Sequence, residues 1–139
     1  ILLFHCLYLS DSITDLLLFS KAKEIRRLSG SEFLDACEII RNHFSPALQS
    51  LTVDLFTGNT HAAFENFVEG HQVDTIFMAK DFTYAKPSKQ SVNPQPFIKK
   101  ASVPVLETNI DVPAGLTQNR LAALFSETPQ NTTPHVVER

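Results

Sequence analysis

Leu51-Thr52-Val53-Asp54-Leu55-Phe56, then Gly58, an amphipathic segment from Asn59 to Gly70, and Val73-Asp74-Thr75-Ile76-Phe77-Met78 form the stretch that decides the fold. Each apolar run has the length of a strand. The segment between them carries Phe64, Phe67 and Val68 on one helical face, with Asn59 or Thr60 as its cap. Gly58 marks the turn into that helix, and Gly70 fits a left-handed C-terminal cap. Further on, Val103-Pro104-Val105-Leu106 restores a strand after a loop and a short helix, and its proline favours a sheet edge or a strand start. Strands separated by helices cannot be joined by hairpins, so the reading is α/β: an open, mostly parallel, doubly wound sheet with helices on both faces.

The amino-terminal side extends the pattern. Ile1 to Tyr8 is nearly all apolar, as a strand covered on both faces must be. Asp11 or Ser12 can cap a following helix, predicted over Ile13 to Leu28 from Leu16, Leu17, Phe19, Ile25 and Leu28. A second helix is marked by a capping box of Ser29 and Glu32, a Leu28–Phe33 staple, and the face Phe33, Leu34, Cys37, Ile40 and Phe44, with Pro46 as its stop. The chain opens on a strand at Ile1 with no turn or helix ahead of it, which predicts native sequence upstream.

Bulk properties limit what the fold can do. A chain of 139 residues that is 43% hydrophobic makes one domain with a single core. A net charge of −3 provides no general attraction to nucleic acid or to an anionic membrane. Ile1 to Leu9 is far too short to span a bilayer. Cys6 and Cys37 lack metal-ligand spacing and a disulfide pattern, so both are expected buried and reduced, with the cytoplasm as the simplest location. The expected division is an α/β domain over 1–108 and an extension over 109–139, in which Leu116 to Phe125 reads as one short helix with Leu121, Leu124 and Phe125 as its apolar patch.

Several residues invite chemistry. His5 and Cys6 resemble a base and a nucleophile, but neighbours on a strand point to opposite faces and do not form a pair. His61 sits at a helix start, where the simpler expectation is that Asn59 or Thr60 caps the helix and His61 faces water. Tyr84, Phe82 and Phe97 have too few arginines nearby for a base-stacking surface, so a core or interface role is expected. The segment Lys80 to Lys100 holds five lysines, three prolines and no glycine. It leaves the carboxyl end of a strand, where open parallel sheets bind ligands, so Lys80, Lys86, Lys89, Lys99 and Lys100 are candidates for holding an anion as point charges.

The order of these short motifs resembles the universal stress protein family over roughly the first 108 residues. The resemblance rests on the strand ending near His5, on Gly58, on Asp74-Thr75-Ile76-Phe77-Met78-Ala79, and on Val103-Pro104-Val105-Leu106. It implies a Rossmann-like sheet, a stress-response role, and pairing through the last strand as a homodimer or with a tandem sister domain, with Val103 to Leu106 at the contact. Asp74 is then a residue at the start of a strand that bonds locally rather than reacts. Nucleotide-binding members carry Gly-x-x-Gly after the fourth strand and a Gly-Ser or Gly-Thr pair about ten residues later, because glycine lets backbone N–H groups approach phosphate. Those positions fall here on Ala79, Lys80, Phe82, Ser91 and Val92. Every glycine is absent and Phe82 places a ring where phosphate would pass. The resemblance therefore implies a non-catalytic regulatory or interaction module with no cofactor; the alternative is an ATP or AMP site built on Lys80, Lys86, Lys89 and Ser91.

Family members also have a strand between those matching Ile1–Tyr8 and Val73–Met78. Without it a sheet of this order has a central gap with unpaired backbone groups on both sides. Upstream sequence is the expected filler, with a strand of a second chain or the tail around His135-Val136-Val137 as alternatives.

Overall fold

The computed structural model describes residues 1–109. The helix expected over Leu116–Phe125 and the tail around His135 lie outside the described residues. The elements run β1 (Leu2–Cys6), α1 (Ile13–Leu18), α2 (Lys21–Leu28), α3 (Ser31–Phe44), β2 (Thr52–Phe56), α4 (His61–Gly70), β3 (Ile76–Ala79), α5 (Gln95–Ile98) and β4 (Val105–Thr108). β1 pairs in parallel with β2, Leu2 opposite Thr52 through to Cys6 opposite Phe56. β3 pairs in parallel with β4, Ile76 opposite Val105 through to Ala79 opposite Thr108. The protein is thus mixed α/β with short parallel strands, as the alternation requires. The single continuous sheet expected from sequence is instead two sheets of two strands. β1 and β3 share no ladder, because no described strand lies between them to carry the hydrogen bonds across.

One aromatic layer spans both pairs. Cys6, Phe56, Phe64, Val68, Ile76 and Ile98 are buried in one cluster, with Phe4, Phe67, Met78, Phe97 and Val105 packed against it. The period-2 alternation of the strands aims Phe4, Cys6 and Phe56 at α4 and α5. Val53 and Leu55, on the other face of β2, line a cavity with Ile25 and Leu28 of α2 and Phe33 of α3. Both cysteines are buried and unpaired, as expected from their apolar contexts.

Helix boundaries differ from the sequence reading at three places. The helix expected over Ile13–Leu28 is broken: Phe19 takes an extended backbone, and Ser20 starts α2 by accepting the Lys23 N–H at 3.4 Å. Hydroxyl capping at Ser20 competes with helix continuation, a signal hidden inside an apolar pattern. α1 consequently buries none of its residues, and Leu17 is 79% exposed. Ser29 closes α2 rather than opening α3, whose first flanking residue is Gly30 with no side-chain cap, so the capping box does not form. The left-handed residue after α4 is Gln72, at φ 54°, not Gly70, which stays helical. His71 and Gln72 complete the turn by donating to Phe67 O at 3.1 Å and Glu69 O at 2.9 Å.

Gly58 is required for packing as much as for turning. A Cβ there would lie 2.7 Å from the Phe56 ring and 2.8 Å from the Ala63 Cβ. Phe56 is 3% exposed and held by Phe64, so its ring cannot yield cheaply. Gly58→Ala is therefore expected to destabilise the protein by about 1–3 kcal/mol, read as a lower urea midpoint. An unchanged midpoint would show that Phe56 is free to move.

Candidate functional site

The loop Lys80–Pro94 turns back from β3 and closes over the carboxyl end of β1. Leu7 bridges Ser91 in antiparallel sense. Tyr8 N–H donates to Gln90 O at 2.7 Å and Val92 N–H to Cys6 O at 2.9 Å. These bonds bring residues 86 positions apart into contact: His5 Nε2 and Ser91 Oγ are 2.9 Å apart. Ser91 is only 4% exposed and also lies 2.8 Å from Ser88 Oγ, while accepting the Ser88 N–H at 3.2 Å.

Counting limits where the protons lie. Burial pushes the His5 pKa down, which favours a neutral ring. A hydroxyl has one proton and two lone pairs. Ser91 accepts the Ser88 N–H, and with its single proton it can donate to only one of His5 Nε2 and Ser88 Oγ. The Tyr84 hydroxyl is buried nearby with no hydrogen-bond partner among the described residues, and burial raises its pKa. The Cys6 side chain faces away into the aromatic core, where burial pushes its thiol up to about 12. The alternation argument against a His5–Cys6 pair thus agrees with the structure.

A serine facing a neutral imidazole resembles half of an acyl-transfer site, but the other parts do not assemble. No carboxylate is hydrogen-bonded to His5 among the described residues, and the N–H groups of Ser91 and Val92 are already bonded, to Ser88 O and Cys6 O. The hydroxyl is also closed off from solvent. The arrangement is a latch between the loop and β1.

The positions singled out from sequence sit around this latch. Ala79 ends β3, and its carbonyl accepts the Phe82 N–H at 3.1 Å. The Lys80 N–H donates to Thr108 O at 2.9 Å, leaving an exposed side chain. Phe82 is 37% exposed, and its carbonyl accepts from Gln95 Nε2 at 3.3 Å. The Ser91 N–H donates to Ser88 O at 3.2 Å. The N–H groups at Lys80, Phe82, Ser91 and Val92 are therefore all engaged inside the chain. Lys86, Lys89, Lys99 and Lys100 are exposed, and with Lys80 they make no ion pair among the described residues. None of the five lines the two cavities beside β1.

Other polar groups have structural partners. Thr60 caps α4, accepting the Ala63 N–H at 3.1 Å, and His61 faces water as expected, 3.7 Å from Glu65. Glu65 in turn receives the Ser102 hydroxyl and N–H, which hold its carboxyl below the usual range and tie α4 to the approach to β4. Asp54 lies 2.8 Å from Lys21 Nζ and 2.8 Å from His71 Nε2, and accepts the Leu55 N–H at 2.7 Å. Burial raises the Asp54 pKa, but these partners together outweigh it and leave the carboxyl below its ordinary value. The sequence suggested neither this bridge across α2, β2 and the end of α4 nor the His5–Ser91 contact. Among the described residues no group of three His, Cys, Asp or Glu side chains is placed to hold a metal ion, and no helix is long and apolar enough to cross a membrane.

Fold and site together define a mixed α/β domain with parallel strands and a loop latched across a strand end. Comparison with models of known families, with curated proteins and with solved structures finds no match to this chain.

The half-buried imidazole links stability to pH. Its folded pKa lies below the unfolded value of about 6.5, so the unfolded chain takes up the proton first. The stabilisation is complete above pH ~6.5 and is lost as pH falls toward the folded pKa. His5→Asn is expected to remove this component, flattening the urea-stability profile between pH ~7 and ~5 relative to the parent. Parallel profiles would place the His5 ring in water.

Proposed function

We propose that the chain is a universal stress protein-like, Rossmann-like module that acts in the stress response by regulation or interaction, without catalysis and without binding ATP. Its four strands belong to one open, doubly wound order, β2-β1-β3-β4. The crossovers support this order. The connection from β1 to β2 runs through α1–α3 and that from β2 to β3 through α4, on opposite faces of the pair. With right-handed connections, β2 and β3 then fall on opposite sides of β1.

The observation that carries the functional reading is the use of the loop's own donors. A phosphate cradle needs converging free N–H groups and an available hydroxyl. Here Ser91 Oγ is held by His5 and Ser88, and the N–H groups of Phe82, Ser91 and Val92 donate to Ala79, Ser88 and Cys6. Opening the cradle would break the latch on β1. The exposed edge of β4, presenting Val105 and Glu107 away from β3, is the surface proposed for pairing with a second copy or a sister domain in the cytoplasm.

Calorimetric titration with ATP, AMP and cyclic nucleotides tests the reading. It predicts no binding even at millimolar nucleotide. A dissociation constant near 1 μM, about −8 kcal/mol, would overturn it in favour of an altered site using Lys80, Lys86, Lys89 and Ser91.

A further inference from the structure

Two serines in the chain follow a pair of cations at the same spacing: Ser29 after Arg26-Arg27-Leu28, and Ser102 after Lys99-Lys100-Ala101. Cations three and two residues before a serine form a charge pattern that serine kinases with acidic substrate clefts select, because each cation fits a carboxylate-lined subsite. The pattern alone does not choose between the two. The structure does. The hydroxyl and N–H of Ser102 are both donated to the Glu65 carboxylate, which fixes that segment against α4. Ser29 has no such tie. Its N–H closes α2 by donating to Ile25 O at 2.8 Å, but its hydroxyl makes no hydrogen bond among the described residues and still reaches solvent.

The backbone around Ser29 suits a kinase cleft, which holds its substrate extended. Ser29 (φ −86°, ψ 108°) and Gly30 (φ −63°, ψ 161°) form an extended pair between two helices. Reading the arginines requires the last turn of α2 to open. α2 buries none of its 8 residues, so that opening breaks few packed contacts. The surroundings also accept the product. Arg26 is exposed and makes no ion pair among the described residues, whereas Arg27 is held by Glu24. Across the junction, α3 begins at Gly30 without a side-chain cap, and the N–H groups of Ser31 and Glu32 donate to nothing among the described residues. Behind Ser29 the cavity wall is apolar, with Leu28 and Phe33, which turns a phosphate outward.

We propose that Ser29 is a phosphorylation site, read through Arg26 and Arg27 by a serine kinase that uses ATP. Ser29 Oγ attacks the γ-phosphorus of ATP, and the bond from that phosphorus to the β–γ bridging oxygen breaks. ADP leaves with the electron pair, and the hydroxyl proton passes to a carboxylate of the kinase. The phosphate brings about −1.5 to −2 charges. It pairs with Arg26 and caps the first turn of α3, joining the end of one helix to the start of the next. ATP is held by the kinase, so the inference is independent of whether this chain binds nucleotide.

In the test, the folded 139-residue chain is incubated with magnesium ATP and the catalytic subunit of cyclic-AMP-dependent protein kinase, and phosphate is located by mass spectrometry. A single phosphate is expected, on Ser29. Ser29→Ala is expected to abolish incorporation and Ser102→Ala to leave it unchanged, while Arg26→Gln is expected to slow it by about tenfold or more. In the phosphorylated chain, amide exchange at Ser31 and Glu32 is expected to slow by about fivefold, the effect of one helix cap. Absence of phosphate on Ser29 in the folded chain overturns the proposal, whether or not a peptide of residues 24–33 accepts it. So does a preference for Ser102, or a rate indifferent to Arg26→Gln. Phosphate on Ser29 with unchanged exchange at Ser31 and Glu32 overturns the capping of α3.

Discussion

The packing of the Phe64 ring is the interaction on which the remaining structure depends. It is fully buried, with ring centroids 5.2 Å from Phe56, 5.7 Å from Phe97 and 5.8 Å from Phe4. In a continuous sheet, backbone hydrogen bonds would tie β1 to β3. That ladder is absent here, so the two strand pairs are joined through side chains: Phe4 and Phe56 from one pair, Ile76, Met78 and Val105 from the other, all against α4 and α5. Burying a ring of this size contributes about 2–3 kcal/mol, with ~0.5–1.5 kcal/mol for each well-placed aromatic contact. The close approach at Gly58 follows from the same packing, since the Phe56 ring must reach α4 over the turn.

A second connection joins the loop to β1 by polar contacts. Val92 and Tyr8 supply backbone bonds, and His5, Ser91 and Ser88 supply a half-buried chain of side-chain bonds. Ser91 and Val92, two of the positions singled out from sequence, are turned inward to make this connection. Structure and proposed function meet there. A loop that spends its donors on its own strand holds that strand's end in place, at the cost of a free anion site.

Element types were legible in the sequence because the periodicities are strong: the runs at Val53–Phe56 and Ile76–Met78 and the Phe64–Phe67–Val68 face all appear where alternation and helical spacing put them. Boundaries were less legible where one residue type serves two purposes. Ser20 looked like a polar position within a helix and is a cap; Ser29 looked like a cap and closes the helix before it. Gly70 looked like the left-handed residue, yet the turn placed that conformation two residues later, on Gln72. The candidate site was legible as a loop position and not as a set of contacts. His5 and Ser91 are 86 residues apart, and no local pattern encodes their meeting. The same holds for Asp54 with Lys21 and His71, which come together only when three elements have packed.

If Phe64 joins the two strand pairs, its loss must be felt equally in both. Native-state amide exchange of Phe64→Leu, a shape change costing about 1–1.5 kcal/mol, measures this directly. The Leu7 amide reports the β1–β2 pair, and the Ile76 and Lys80 amides report β3–β4. The account predicts that their opening free energies fall together, by the same amount. A fall confined to one pair, with the other unchanged, would contradict it.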